Sequence, residues 1–287
     1  MDTATSAMVS YGIVVDFLGF VNIFLPFYTQ FYCQESGLPA EVGCILPTVC
    51  YNFTIPSRKA EAKMRKRLKL SERRLPDYTR GEEIMNMVTH IVGGGLGVIT
   101  LITCVLVAAI HGNTFGVVGS AIYGVSMVAL YSLSSIYHGM RPGTGKKVLQ
   151  ILDHCTIYFL IAGTYSVIAL SALRPLYPVL GWGMLVFQWS LTALAVTLTA
   201  IDLKKYNVFS MICYICMGWA ILPFMGHAME ALTLPGFWFL LSGGISYTIG
   251  AVLYGVGAKK RWMHSVFHIF VVLGSLLQYL CILLYGL

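Results

Sequence analysis

The sequence predicts an all-α polytopic membrane protein, a seven-transmembrane helix bundle with the bundle's N-terminus cytoplasmic and its C-terminus external. Three observations predict it. Of the 287 residues, 57% are apolar and only 11% charged, against about 25% charged in a soluble domain. The apolar residues gather into runs near the ~20 residues that cross ~30 Å of hydrocarbon. The cations gather on alternate connections, as in proteins oriented by positive charge on the cytoplasmic side. The net charge of +7 therefore reads as an orientation signal. The basic run lacks the interleaved aromatics of a nucleic-acid surface, so nucleic acid is excluded as a partner.

Three regions follow one another. Residues 1–57 form an N-terminal extension. Its apolar run 8–28 carries Asp16 and Asn22 and suits an extra span or an interfacial helix. Its first residues, MDTATSA, lack the basic start of a signal peptide. The glycosylation-type triplet Asn52-Phe53-Thr54 abuts a cytoplasmic run and reads as chance. Residues 58–83 are a cytoplasmic basic segment: ten of the 19 Lys and Arg lie between Arg58 and Arg80. Met64, inside that segment, opens a plausible shorter chain.

Residues 84–287 hold the transmembrane domain, with apolar spans at about 84–110, 115–138, 151–171, 179–200, 207–225, 236–256 and 262–285. The connections HGNT, RPGTGKK, LRPLYP, DLKKYN, HAMEALTLPG and GAKKR are short and polar or rich in Pro and Gly. Gly93-x-x-x-Gly97 in the first span suits close helix packing. The second, fourth and sixth connections carry Arg141, Lys146, Lys147, Lys204, Lys205, Lys259, Lys260 and Arg261; the other three carry Arg174 alone. That asymmetry sets the even connections in the cytoplasm. Cys213-x-x-Cys216 has no further thiol or imidazole at its depth and reads as two small apolar residues within a helix.

One acidic residue, Asp153, lies inside these spans, at the start of the third. Ionisable groups within a bilayer are costly and usually face a partner or a cavity. His138 closes the second span and His264 and His268 open the seventh, so all four groups fall at one depth. They lie within one or two helical turns, about 5–10 Å, of the cytoplasmic face. His264 and His268 share a helix face through their i,i+4 spacing, as do Ser134 and His138. Three imidazoles with a nearby carboxylate suit zinc with an open position for water. His90 falls near the same face as a supporting residue. His154 points about 100° away from Asp153 on a helix, and His111 and His227 fall in outer connections.

The combination Ser134-x-x-x-His138, Asp153 and His264-x-x-x-His268, with GEEIMNMVTH before the first span, resembles the hemolysin III family. That family is the bacterial branch of the progestin and adipoQ receptor superfamily. The resemblance covers about residues 78–287. It implies a seven-helix bundle in a bacterial plasma membrane, with zinc held by His138, His264 and His268. It further implies a zinc-bound water held by Asp153, with Ser134 nearby. The expected function is a zinc-dependent intramembrane hydrolase, with Asp153 and Ser134 catalytic and a membrane lipid amide or ester as substrate. A lipid receptor with structural zinc and a pore-forming cytolysin are the alternatives.

Overall fold

The computed structural model describes residues 42–46, 49–52, 70–257 and 260–287. The apolar run 8–28, the basic residues up to Lys69 and Lys259 lie outside the described residues. The chain divides into two compact units, Met1–Leu68 and Lys69–Leu287. The first contains an antiparallel hairpin of β1 (Val42–Leu46) and β2 (Val49–Asn52), with Cys44 opposite Cys50.

The second unit is helical. Its elements are α1 (Arg80–Ile110), α2 (Thr114–Gly139), α3 (Thr144–Val167), α4 (Pro178–Ile201), α5 (Asn207–Gly218), α6 (Met225–Gly257) and α7 (Met263–Cys281). α3 continues through a wider turn, Ile168–Leu173, to Leu176, and α7 through Ile282–Gly286. Local chemistry starts these helices. Thr79 and Glu82 close a reciprocal capping box on α1, and the Asn113 side chain caps α2 by accepting from the Gly116 amide.

The polarity of the helix faces is inverted relative to a soluble bundle. The buried stripe of α1 runs Glu82, Asn86, His90, Gly93, Gly97, Thr100, Cys104, Ala108. Its outer face carries exposed Ile84, Val88, Ile91, Val92, Ile99 and Leu106. Small and polar residues face inward while large aliphatic ones face outward, the arrangement hydrocarbon surroundings require. Six segments among the described residues are long and apolar enough to cross a membrane: Arg80–Ile110, Thr114–Gly139, Thr144–Leu176, Pro178–Ile201, Asn207–Gly255 and Met263–Gly286. The chain is an integral membrane protein.

The fifth segment is 49 residues long, and it is not straight. A tight turn at Leu222–Phe224, which includes Pro223, follows α5. Within α6, Thr233 takes φ 61°, ψ 165°, two residues before Pro235. A straight helix would set Trp219 and Thr248 roughly 44 Å apart at 1.5 Å per residue. Instead the Trp219 indole donates to the Thr248 hydroxyl at 2.9 Å. The chain therefore folds back between them.

Glycines set the closest helix contacts. A Cβ at Gly124 on α2 would lie 2.6 Å from Leu101 Cα on α1, and one at Gly97 would lie 3.1 Å from the Val128 amide. The backbones of α1 and α2 touch there because no side chain intervenes. This is the use expected of Gly97; its spaced partner Gly93 instead admits the Tyr131 ring.

α3 starts at Thr144, seven residues ahead of the span read from the sequence. Lys146 and Lys147 had marked a loop. Lys146 is in fact helical and 4% exposed, because it meets a carboxylate from α1.

Candidate metal centre

The ends of four helices meet at one end of the bundle: α1, α3 and α7 begin there and α2 finishes there. Glu82 fixes two of the starts. One of its oxygens accepts from the Thr79 amide at 2.8 Å and the Thr79 hydroxyl at 2.7 Å; the other accepts from the Trp262 amide at 2.6 Å. Trp262 sits at φ 68° immediately before α7, a left-handed backbone that costs a non-glycine residue energy. The bond from Glu82 holds that turn and so sets the helix that carries His264 and His268.

His138 from α2 and the two α7 histidines converge. Their ligand nitrogens all lie within 4.8 Å of one another. His264 Nε2 is 3.0 Å from His268 Nε2 and 3.4 Å from His138 Nε2. The far nitrogens explain the arrangement. His138 Nδ1 is 2.6 Å from Glu83 Oε2, and His268 Nδ1 is 3.3 Å from the Asn86 carbonyl. A carboxylate and a carbonyl can only accept, so both Nδ1 atoms carry the proton and both Nε2 lone pairs face the centre. His264 Nδ1 is buried without a partner among the described residues.

Three imidazoles whose nitrogens meet at one point, two of them with lone pairs directed there, fit a divalent metal that prefers nitrogen. The surroundings reinforce the fit. Ser265 donates to Asn86 Oδ1 at 2.6 Å, locking the Asn side chain beneath His268. Tyr78, just ahead of α1, stacks on His264 with centroids 5.0 Å apart. Burial raises the Tyr78 phenol above its ordinary value, with Tyr254 and Tyr137 adding to the effect, so it covers the cluster as a neutral ring.

On the inner side the cluster adjoins an apolar cavity of about 160 Å³. His264 and His268 line one end together with Ser134 and Asp153; Gln278, ten residues beyond His268, lines it deeper in. At 1.5 Å per residue the cavity runs ~15 Å along α7. Ser134 Oγ is fully buried with no partner among the described residues, and Asp153 is half-buried. Asp153 is outside the group of mutually close ligand atoms. The structure thus assembles the three predicted ligands at one point and sets Asp153 and Ser134 along the cavity beside two of them.

Other predicted residues fall as follows. His154 reaches the same cavity despite pointing away along the helix: its Nδ1 is 3.8 Å from Asp153 Oδ2 and 2.8 Å from the Gln150 carbonyl. His90 is buried, stacked on His268 at 3.7 Å between centroids, with neither nitrogen partnered among the described residues. Cys213 and Cys216 are free thiols in α5, and His111 and His227 are exposed. Sequence reasoning missed Glu83, Asn86 and Lys146. The spacing of Glu82, Asn86 and His90, four apart on one face of α1, was the available signal.

Residues 78–279 match the family described as Haemolysin-III related. The chain is 38% identical over 204 residues to Hemolysin-3 of Bacillus cereus, covering 71% of this chain and 91% of that protein. It is 35% identical over 208 residues to the Hemolysin-3 homolog of Bacillus subtilis (strain 168), covering 72% and 96%. It is 26% identical over 172 residues to the human monocyte to macrophage differentiation factor, covering 56% and 67%.

Proposed function

Since this chain belongs to the haemolysin-III related family, we propose that it is a zinc-dependent intramembrane hydrolase of a lipid amide or ester. The bundle crosses a bacterial plasma membrane seven times, with the histidines near the cytoplasmic face. One observation carries the reading: three imidazole nitrogens converge at the polar end of an apolar cavity that Asp153 and Ser134 also line.

His138, His264 and His268 hold the metal. When bound, zinc supplies a Lewis acid and lowers the pKa of a water towards ~7. Asp153 takes the proton of the attacking water as general base. Ser134, whose hydroxyl is free to donate, stabilises the oxygen that gains charge when the carbonyl is attacked. The apolar walls accept the lipid chain, and the polar product leaves towards the cytoplasm.

Two measurements test this. Purified wild type should contain about one zinc per chain and release fatty acid from members of a panel of lipid amides and esters. Asp153→Asn should keep the zinc and lose the turnover, because an amide accepts hydrogen bonds but is no base at neutral pH. Loss of zinc in that variant, with no turnover in wild type, would instead make Asp153 a ligand of a closed structural site, as in a lipid receptor. The names of the Bacillus relatives favour lysis as a further reading. Dye leakage from liposomes carrying the purified protein would support it.

A further inference from the structure

We infer that Glu83 is the positioning residue of the metal centre, acting through His138 and held in place by Lys146. The inference rests on the zinc reading above and deepens it.

The two oxygens of Glu83 are divided between two helices. Oε2 lies 2.6 Å from His138 Nδ1 on α2, and Oε1 accepts from Lys146 Nζ at 2.6 Å on α3. Lys146 also donates to the Met140 carbonyl at 3.0 Å, at the end of α2. An ordinary headgroup lysine would extend into water; this one is 4% exposed. Burying a lysine and a carboxylate is costly unless they pair with good geometry, and here both find short partners. The adjacent carboxylate, Glu82, serves the start of α7 instead. The Glu-Glu pair thus supplies one carboxylate to each ligand-bearing helix.

The consequence for the metal is specific. A carboxylate on Nδ1 fixes the ring's rotation and tautomer, so that Nε2 offers its lone pair to the centre, and it makes that nitrogen a stronger donor. His138 is the single ligand from α2, so its orientation decides whether the α7 pair acquires a third partner. Asn86 Nδ2 lies 3.4 Å from the same Nδ1, but an amide donor cannot replace the acceptor His138 requires.

The test is zinc affinity in detergent, measured by competition with a chromophoric chelator, for wild type, Glu83→Gln and Glu83→Asp. Glu83→Gln should weaken zinc roughly 10–100-fold and shift the visible spectrum of the Co2+-substituted protein; it should also lower the melting temperature of the metal-free protein, because it leaves Lys146 buried without its carboxylate. Glu83→Asp keeps the charge but draws it back by one methylene, and should fall between the two; it serves alone if the Gln variant does not fold. Wild type that binds no zinc would overturn the metal reading itself. Wild type that binds zinc while folded Glu83 variants bind it equally would overturn the positioning role alone. A metal-free protein destabilised by Glu83→Gln, with an unchanged Co2+ spectrum, would likewise overturn it, since that is the mark of a purely structural ion pair.

Discussion

His264 is the ligand whose far ring nitrogen is not anchored. Its Nδ1 has no hydrogen-bond partner among the described residues, whereas His138 and His268 have theirs. It is oriented by ring stacking against Tyr78 and by its place one turn before His268. Its removal should therefore cost the metal without disturbing the hydrogen bonds around the other two. We expect His264→Ala to lose most bound zinc. Metal that binds only the folded state stabilises it, so a chelator should lower the melting temperature of wild type and leave that of His264→Ala unchanged. Equal chelator sensitivity in both would show that the metal sits elsewhere. At this scale the histidines were legible because i,i+4 spacing and depth can be read from a string of letters. Glu83 was not. Acidic residues in a first helical turn already have an explanation in the helix dipole, and the apolar span was begun just after them. Which of two adjacent carboxylates turns towards a neighbour depends on helix phase, and phase needs the observed α1 start at Arg80.

Between elements, the contact that sets the site is the crossing of α1 and α2, which carry Glu83 and His138. It is made by backbone against backbone. Gly124→Ala would drive a methyl to 2.6 Å from Leu101 Cα, an atom that cannot rotate aside. Overpacking of that kind costs about 1–3 kcal/mol, and the crossing would have to widen. Gly95, on the same helix, has nothing within 4 Å of its Cβ position, so Gly95→Ala should be neutral or stabilising by up to ~1 kcal/mol through helix propensity. Thermal unfolding in detergent should separate the two variants, with Gly124→Ala also showing weaker zinc retention. Similar melting temperatures would mean that the crossing is not the tight contact described. Element positions were largely readable from apolar run length, and the misreadings have one source. HAMEALTLPG reads as a polar loop, yet Ala, Met, Glu and Leu are strong helix formers, and the helix continues through them until Thr233. Likewise α3 runs back to Thr144 because Lys146 found a partner inside the bundle rather than water.

For the whole molecule the open quantity is the number of crossings, and it turns on the 49-residue segment Asn207–Gly255. At 1.5 Å per residue such a segment measures ~74 Å, more than twice the ~30 Å of hydrocarbon. The Trp219–Thr248 hydrogen bond shows its arms side by side, which supports two crossings and seven in all. An odd number sets the start of α1 and Leu287 on opposite faces; six would set them on the same one. Charge gives the direction. Arg141, Lys204, Lys205, Lys260 and Arg261 lie at the end that carries the histidines, while Arg174, at the other end, packs its guanidinium 3.7 Å from the Phe115 ring centroid. Lys146 drops out of the count because it is buried against Glu83, but the bias remains large. A fluorescent reporter that matures only in the cytoplasm, fused after Leu287, should stay dark, and an enzyme reporter active only outside should work there. The same pair inserted in the Met140–Gly143 connection should give the opposite result. Cytoplasmic fluorescence from both positions would mean an even number of crossings and would refute the fold-back as a pair of spans. The inverse pattern at both positions would keep seven crossings but move the histidines to the outer face, where a polar product would be released outside the cell.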